Sequence, residues 1–147
     1  MKRAKLFLHD AQQLPFSEGT FDIVCSIQVV EHLEDPTAFF EEARRVLRVD
    51  GLLIIATPNP SGIPAKLLKD RWGGYRYDHI SLKTPQQWRK LIGNYGFQIL
   101  DDGTTGLTGF RILQKLPFAF INWIPMAIFG YFPWYKGESY MAVARRI

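Results

Sequence analysis

Residues 21–59 read FDIVCSIQVVEHLEDPTAFFEEARRVLRVDGLLIIATPN, and their pattern decides the fold. FDIVCSI is a short apolar run with β-branched residues, the signature of a buried strand. Asp35 followed by Pro36 predicts a helix start, with Asp as N-cap and Pro at the first helical position. Phe39, Ala43, Val46 and Leu47 recur at i, i+4, i+7 and i+8 and make one apolar face. Glu41, Glu42, Arg44, Arg45 and Arg48 take the other side, with Glu41 four residues before Arg45. Gly51 is the expected helix stop, and LLIIAT (52–57) is a second apolar strand. Two buried strands joined by an amphipathic helix form a βαβ unit, hence a parallel sheet. Ligands of such sheets bind beyond the carboxyl ends of the strands. Those ends are 28–32 and 57–59.

Outward from this unit the α/β alternation continues. KLFLHD (5–10) reads as a strand ending in a polar residue, and QQLPFSEGT (12–20) as a loop punctuated by Pro15 and Gly19. Residues 58–83 form a long connection rich in Pro and Gly, with a short helix expected near 65–70. Connections of that length tend to be functional. Thr84, Pro85 and Gln87 form a capping box at the start of a second helix. Trp88, Leu91, Ile92 and Tyr95 are its apolar face and Gly96 its end. FQIL (97–100) and, at the chain's end, SYMAVARR (139–146) read as two further strands.

The 147 residues suit one domain with a sizeable core. The charge of +4 comes from scattered Lys and Arg, so nucleic acid is not an expected partner, and an anionic membrane surface fits at least as well. The single cysteine, Cys25, excludes a disulfide framework within the chain and is expected in the core. MKRAKLFLHD lacks the apolar region of a signal peptide, which predicts a cytoplasmic or cytoplasm-facing protein. Residues 106–136 read as an aromatic insertion. LPFAFINWIPMAIFGYFPWY (116–135) carries no charge, and eight of its twenty residues are aromatic. Pro117, Pro125 and Pro133 argue against a membrane span. The stretch suits packing over the sheet, a membrane surface or the cover of an apolar substrate.

Taken together, HDAQQLPF, FDIV leading to the Glu31-His32 pair, the helix ending VLRVDG and the strand ending TPN resemble the central part of class I S-adenosylmethionine-dependent methyltransferases. The nearest resemblance is to the ubiquinone-biosynthesis-like, type 11 group, over roughly residues 6–100. It implies an α/β, partial Rossmann-like sheet in which KLFLHD is strand three, FDIVCSI four, LLIIAT five, FQIL six and SYMAVARR an antiparallel strand seven. The family order is 3-2-1-4-5-7-6. Strands one and two, with the Gly-rich loop, should lie upstream of residue 5. Gly103, Gly106 and Gly109 do not replace that loop, because no helix pattern follows them.

The resemblance also implies functional residues and S-adenosylmethionine as cofactor. Asp10 and Ala11 match the positions that read the adenine edge. Ile27, Gln28 and Val29 match the lining of the methionine part. Glu31 and His32 match a pair close to the transferred methyl group. His32 or His79 is the expected base if the acceptor is a hydroxyl. Each has a structural alternative: turn capping for Asp10, core packing for Val29 and Val30, loop hydrogen bonding for the histidines. The expected function is methyl transfer to a small-molecule, glycan or lipid-linked acceptor, as part of a longer chain or with a partner chain that supplies the Gly-rich half. The alternative is a non-catalytic module that contacts proteins or membrane surfaces. No metal is expected.

Overall fold

A computed structural model describes residues 4–106 and 134–147. Strand β1 (Phe21–Ile27) leads through a single 3-10 turn (Val30–His32) into helix α1 (Pro36–Val46), and β2 (Leu47–Pro58) follows directly. The long connection holds α2 (Ile63–Leu68) and a second 3-10 turn (Lys69–Arg71). Then come α3 (Pro85–Asn94), β3 (Phe97–Thr104) and β4 (Ser139–Arg146).

Both predicted helix starts are built as expected. Asp35 accepts the Thr37 amide at 2.9 Å, and its hydrogen bonds with Thr37 hold its carboxyl below the usual range. Thr84 and Gln87 form a complete capping box. Gly96 follows α3 at φ +80°, a turn that a side chain would strain.

The sheet runs β1-β2-β4-β3. β1 and β2 are parallel, and β4 is antiparallel to both β2 and β3. This is the 4-5-7-6 half of the expected order. One face is covered by α1 and α3. Phe39, Phe40 and Ala43 of α1, Trp88 and Ile92 of α3, Leu53 and Ile55 of β2, Phe97 of β3, and Tyr140 and Ala142 of β4 form one buried cluster.

Three expectations need correction. Residues 5–10 form no strand: Leu6 and Leu8 are almost fully exposed. An apolar run becomes a strand only beside a neighbour that takes its backbone hydrogen bonds, and no described strand lies next to it. Cys25 is exposed rather than buried. It alternates with Ile23 and Ile27, both about half exposed, on the face of β1 turned away from the helices. Finally, α1 ends at Val46, not at Gly51. Leu47 turns extended to pair with Phe21, and the register then jumps to Ile23 with Leu52. Asp50, at φ +62°, makes the turn inside that irregularity. Gly51 is needed for close approach instead, since a Cβ there would lie 2.8 Å from the Arg48 carbonyl. Most of the uncharged aromatic stretch lies outside the described residues. Among those described, no helix is long and apolar enough to cross a membrane.

A polar cluster fastens the far side of the sheet. Tyr140, fully buried, donates its hydroxyl to Asp102 Oδ2 at 2.8 Å. Arg89 donates to Oδ1 at 2.6 Å and the Tyr135 hydroxyl to the same oxygen at 3.1 Å. Burial, and then the Asp102 carboxylate, push the Tyr140 hydroxyl far above its ordinary value. A folded-state pKa above the unfolded one gives stability that is complete below about pH 10 and is lost as pH rises beyond it. The urea midpoint should therefore fall above about pH 10, by up to ~1.4 kcal/mol per pH unit from this group. Tyr140→Phe should show a shallower alkaline fall, and equal slopes would contradict the assignment.

Candidate functional site

The site forms where the βαβ unit places it, at the carboxyl ends of β1 and β2. Gln28, the first residue after β1, has a left-handed backbone (φ 54°). Its amide still donates to the Ala56 carbonyl at 2.8 Å, so the chain leaves the sheet one residue later than the strand does. A non-glycine residue held there is strained, and such strain concentrates at functional sites. The turn Val30–His32 then drives Val30 into the core, at 0% exposure, and brings His32 to the surface of the crevice.

The long connection supplies the opposite wall. Gln28, His32, Pro58, Gly73, Gly74, Arg76, Asp78, His79, Glu138 and Ser139 line one pocket of about 370 Å³. Within it the His32 and His79 rings meet edge to face, with centroids 4.6 Å apart. His32 Nδ1 lies 2.9 Å from the Asp78 carbonyl oxygen, and His79 Nδ1 lies 2.7 Å from that of Gly74. A carbonyl can only accept, so Nδ1 carries a proton in both rings, and in the neutral imidazole Nε2 is the nitrogen with the lone pair. The Asp78 carboxylate stands 3.7 Å from His32 Nδ1. Its two-point contact with Arg76 holds it below the usual carboxylate range, so Asp78 stays ionised beside the imidazole. Trp72, packed edge to face on Tyr75, donates its indole N–H to Glu138 at 2.6 Å and ties this wall to the approach to β4.

The predicted residues separate into two groups. Gln28, His32 and His79 come together in the pocket. Ile27 and Val29 flank Gln28, with 52% and 41% of their surface exposed. Asp10 and Ala11 do not line this pocket. The exposed Asp10 carboxylate accepts the Gln12 amide at 2.9 Å and so closes its own turn, while Ala11 packs against the core cluster. The loop around them is held to α1 by Glu42, which accepts the Leu14 amide at 2.6 Å and both nitrogens of an Arg45 fork. The donor set thus fits the methionine end of the expected cofactor, where a strand-end amide faces a polar pocket. Of the two residues expected at the adenine end, Asp10 presents one exposed carboxylate outside this pocket. Sequence reading missed Arg76, Asp78, Gly74 and Glu138. The only signal was that Arg76 and Asp78 lie within three positions of His79 in YRYDHI.

Comparison with known proteins bears on the family and the fold. A family model described as a methyltransferase domain matches residues 2–101. The malonyl-[acyl-carrier protein] O-methyltransferase of Laribacter hongkongensis is 42% identical over 65 residues, which are 44% of this chain and 21% of that protein. The chain's matches span about a fifth of the length of such curated relatives. Among solved structures, an S-adenosylmethionine-dependent methyltransferase of Thermotoga maritima superposes with a TM-score of 0.69 at 14% identity, over 95% of this chain and 62% of that one. The [4+2]-cyclase SpnF superposes with a TM-score of 0.61 at 18% identity, over 94% of this chain and 54% of that one. These two likenesses establish the fold. With the family model covering two thirds of the sequence and the strand order reproduced, the chain belongs to the methyltransferase domain family.

Proposed function

We propose that the chain carries the methionine-binding and acceptor side of a site that transfers a methyl group from S-adenosylmethionine to a small-molecule acceptor. One observation carries this reading: Gln28, His32 and His79, from two separate segments, converge in one pocket at the carboxyl end of the parallel pair. The fold alone does not fix the reaction, since a [4+2]-cyclase shares it. Relatives named as methyltransferases support the choice, among them a ubiquinone biosynthesis O-methyltransferase of Parvibaculum lavamentivorans, 41% identical over 49 residues.

When bound, S-adenosylmethionine supplies a methyl group on a sulfonium. The residues present do the rest. The Gln28 side chain offers an amide to the amino-acid moiety. The pocket walls hold acceptor and donor in line, an effect that supplies on the order of 7–11 kcal/mol. His32 or His79, protonated at Nδ1, accepts the acceptor's hydroxyl proton at Nε2. The uncharged aromatic stretch 116–135 supports an apolar or lipid-linked acceptor, with a membrane surface as the accompanying partner.

Calorimetry with S-adenosylhomocysteine, on the chain in its full natural reading frame, tests the reading. Saturable binding is expected, weakened about tenfold or more by Gln28→Ala, the loss of one well-made polar contact. Absence of binding would sink the proposal.

A further inference from the structure

Glu31, beside the two histidines, is left unexplained by methyl transfer. It is fully buried, at 0% exposure, and neither carboxylate oxygen has a hydrogen-bond partner. Its backbone is fixed, because its carbonyl accepts the Ser81 amide at 2.9 Å. Burying a carboxylate without a proton donor or a cation is among the costliest arrangements a fold can hold.

The neighbours of Glu31 indicate what it is for. One carboxylate oxygen of Glu31, one ring nitrogen of His32 and one of His79 lie within 4.8 Å of one another. Donors held ~2.0–2.2 Å from a single ion in tetrahedral geometry stand ~3.3–3.6 Å apart, so side-chain rotations that draw the three together by about an ångström would bring all of them onto one centre. Each imidazole has its Nδ1 bound to a main-chain carbonyl, that of Asp78 or Gly74. Such outer contacts fix the tautomer and the ring plane of histidines that ligate metals. The pocket beside the trio is open and polar, with Gln28, Arg76 and Asp78 on its walls.

We propose that Glu31, His32 and His79 form a binding site for a divalent first-row transition ion of the manganese-to-zinc class. Two imidazoles with one carboxylate favour such ions over magnesium or calcium, whose ligands are almost all oxygen. Three protein donors leave coordination positions that face the pocket, where an oxygen of the acceptor can bind. The ion site stands by itself; only the placing of the acceptor on it rests on the methyl-transfer reading. Where the ion is bound, the two histidines would act as its ligands; the ion would lower the pKa of the acceptor hydroxyl bound to it, and that proton would leave to solvent water through the open pocket rather than to an imidazole.

Cobalt(II) titration of the chelator-treated, full 147-residue chain tests the site without cofactor or acceptor. Wild type is expected to take up one equivalent, to develop visible d–d absorption and to gain thermal stability. Loss of an outer partner already costs about 10–100-fold in metal affinity, so Glu31→Gln and His79→Ala should each weaken uptake by more than about 100-fold. Metal-free Glu31→Gln should be at least as stable as metal-free wild type, because it removes a buried carboxylate that has no hydrogen-bond partner. Should that variant fail to fold, His79→Ala in the surface connection still decides the matter. No uptake by wild type, or uptake unchanged in His79→Ala, would overturn the proposal. Calorimetry with S-adenosylhomocysteine on the same metal-free protein reports on the cofactor separately, so failure of one reading is distinguishable from failure of the other.

Discussion

Phe40→Ala is expected to lower the unfolding free energy by about 3–5 kcal/mol, as full truncation of a buried aromatic does. Phe40 is 0% exposed on the inner side of α1. Its ring lies 6.2 Å from Trp88, 6.2 Å from Tyr95 and 6.5 Å from Phe97, and 5.5 Å from its chain neighbour Phe39. It is therefore the point where α1, α3 and β3 meet. The hole left by alanine would be walled by aromatic rings on three elements, which cannot all move inward together, so little of it would close. Aromatic pairs also add about 0.5–1.5 kcal/mol beyond area burial. Phe40→Leu keeps most of the volume and should cost less than half as much. Urea unfolding gives both values, with the midpoint shifting and the slope unchanged. A loss below ~1 kcal/mol for alanine would mean that α1 does not join the two halves of the core.

Phe40 also shows how far the sequence could be read. The spacing of Phe39, Ala43, Val46 and Leu47 locates the buried face of α1, but Phe40, as fully buried as Val46 and Leu47, lies beside that stripe. A helix wedged between a sheet and a second helix is covered over a wider arc than one stripe. Caps are legible because they are local: Asp35-Pro36 and Thr84-Pro85-x-Gln87 contain the whole of their physics within four residues. Strand burial is not local. FDIVCSI and LLIIAT look alike as apolar runs, yet LLIIAT has strands on both sides, whereas among the described residues β1 has one neighbour and one uncovered face. Residues 5–10 fail as a strand for the same reason.

The candidate site divides along the same line. Gln28 and His32 follow from the rule that ligands bind at strand ends. His79 follows from resemblance and from its place in a long connection. The path of that connection has no period, so the carbonyls of Asp78 and Gly74 that orient the two histidines could not be foreseen. Nor could the burial of Glu31, one position from a residue that reaches the surface. A 3-10 turn reverses the facing of neighbours within a single residue, and nothing in VVEHLED announces which side chain goes inward.

Asn59→Ala is expected to cost about 2–4 kcal/mol and to loosen the pocket wall as well. Asn59 reads in the sequence as the end of a strand that faces ligand. In the structure it is fully buried and works as a clamp. Its side-chain nitrogen donates to the carbonyls of Gly137, at 3.0 Å, and Tyr135, at 3.1 Å. Its side-chain oxygen accepts the Ser61 amide at 3.1 Å and the Ser61 hydroxyl at 2.7 Å. One amide thus joins the exit of β2 to the approach to β4, across 78 residues of sequence. Alanine would leave buried acceptors without donors, each costing about 1–3 kcal/mol. Asn59→Asp separates the charge pattern from the shape: it keeps the size but sets an oxygen against two carbonyl oxygens, and should cost at least as much as alanine. Packing at this corner leaves no room for adjustment, since a Cβ on Gly62 would fall 2.3 Å from the Gly137 carbonyl oxygen. Pro58 and Glu138, the immediate neighbours of the clamp, line the pocket, so the loss should extend to ligand binding. Both variants should therefore lower the urea midpoint and weaken S-adenosylhomocysteine binding at temperatures where they remain folded. A variant as stable as wild type would show that Ser61 and the main chain hold the corner without Asn59.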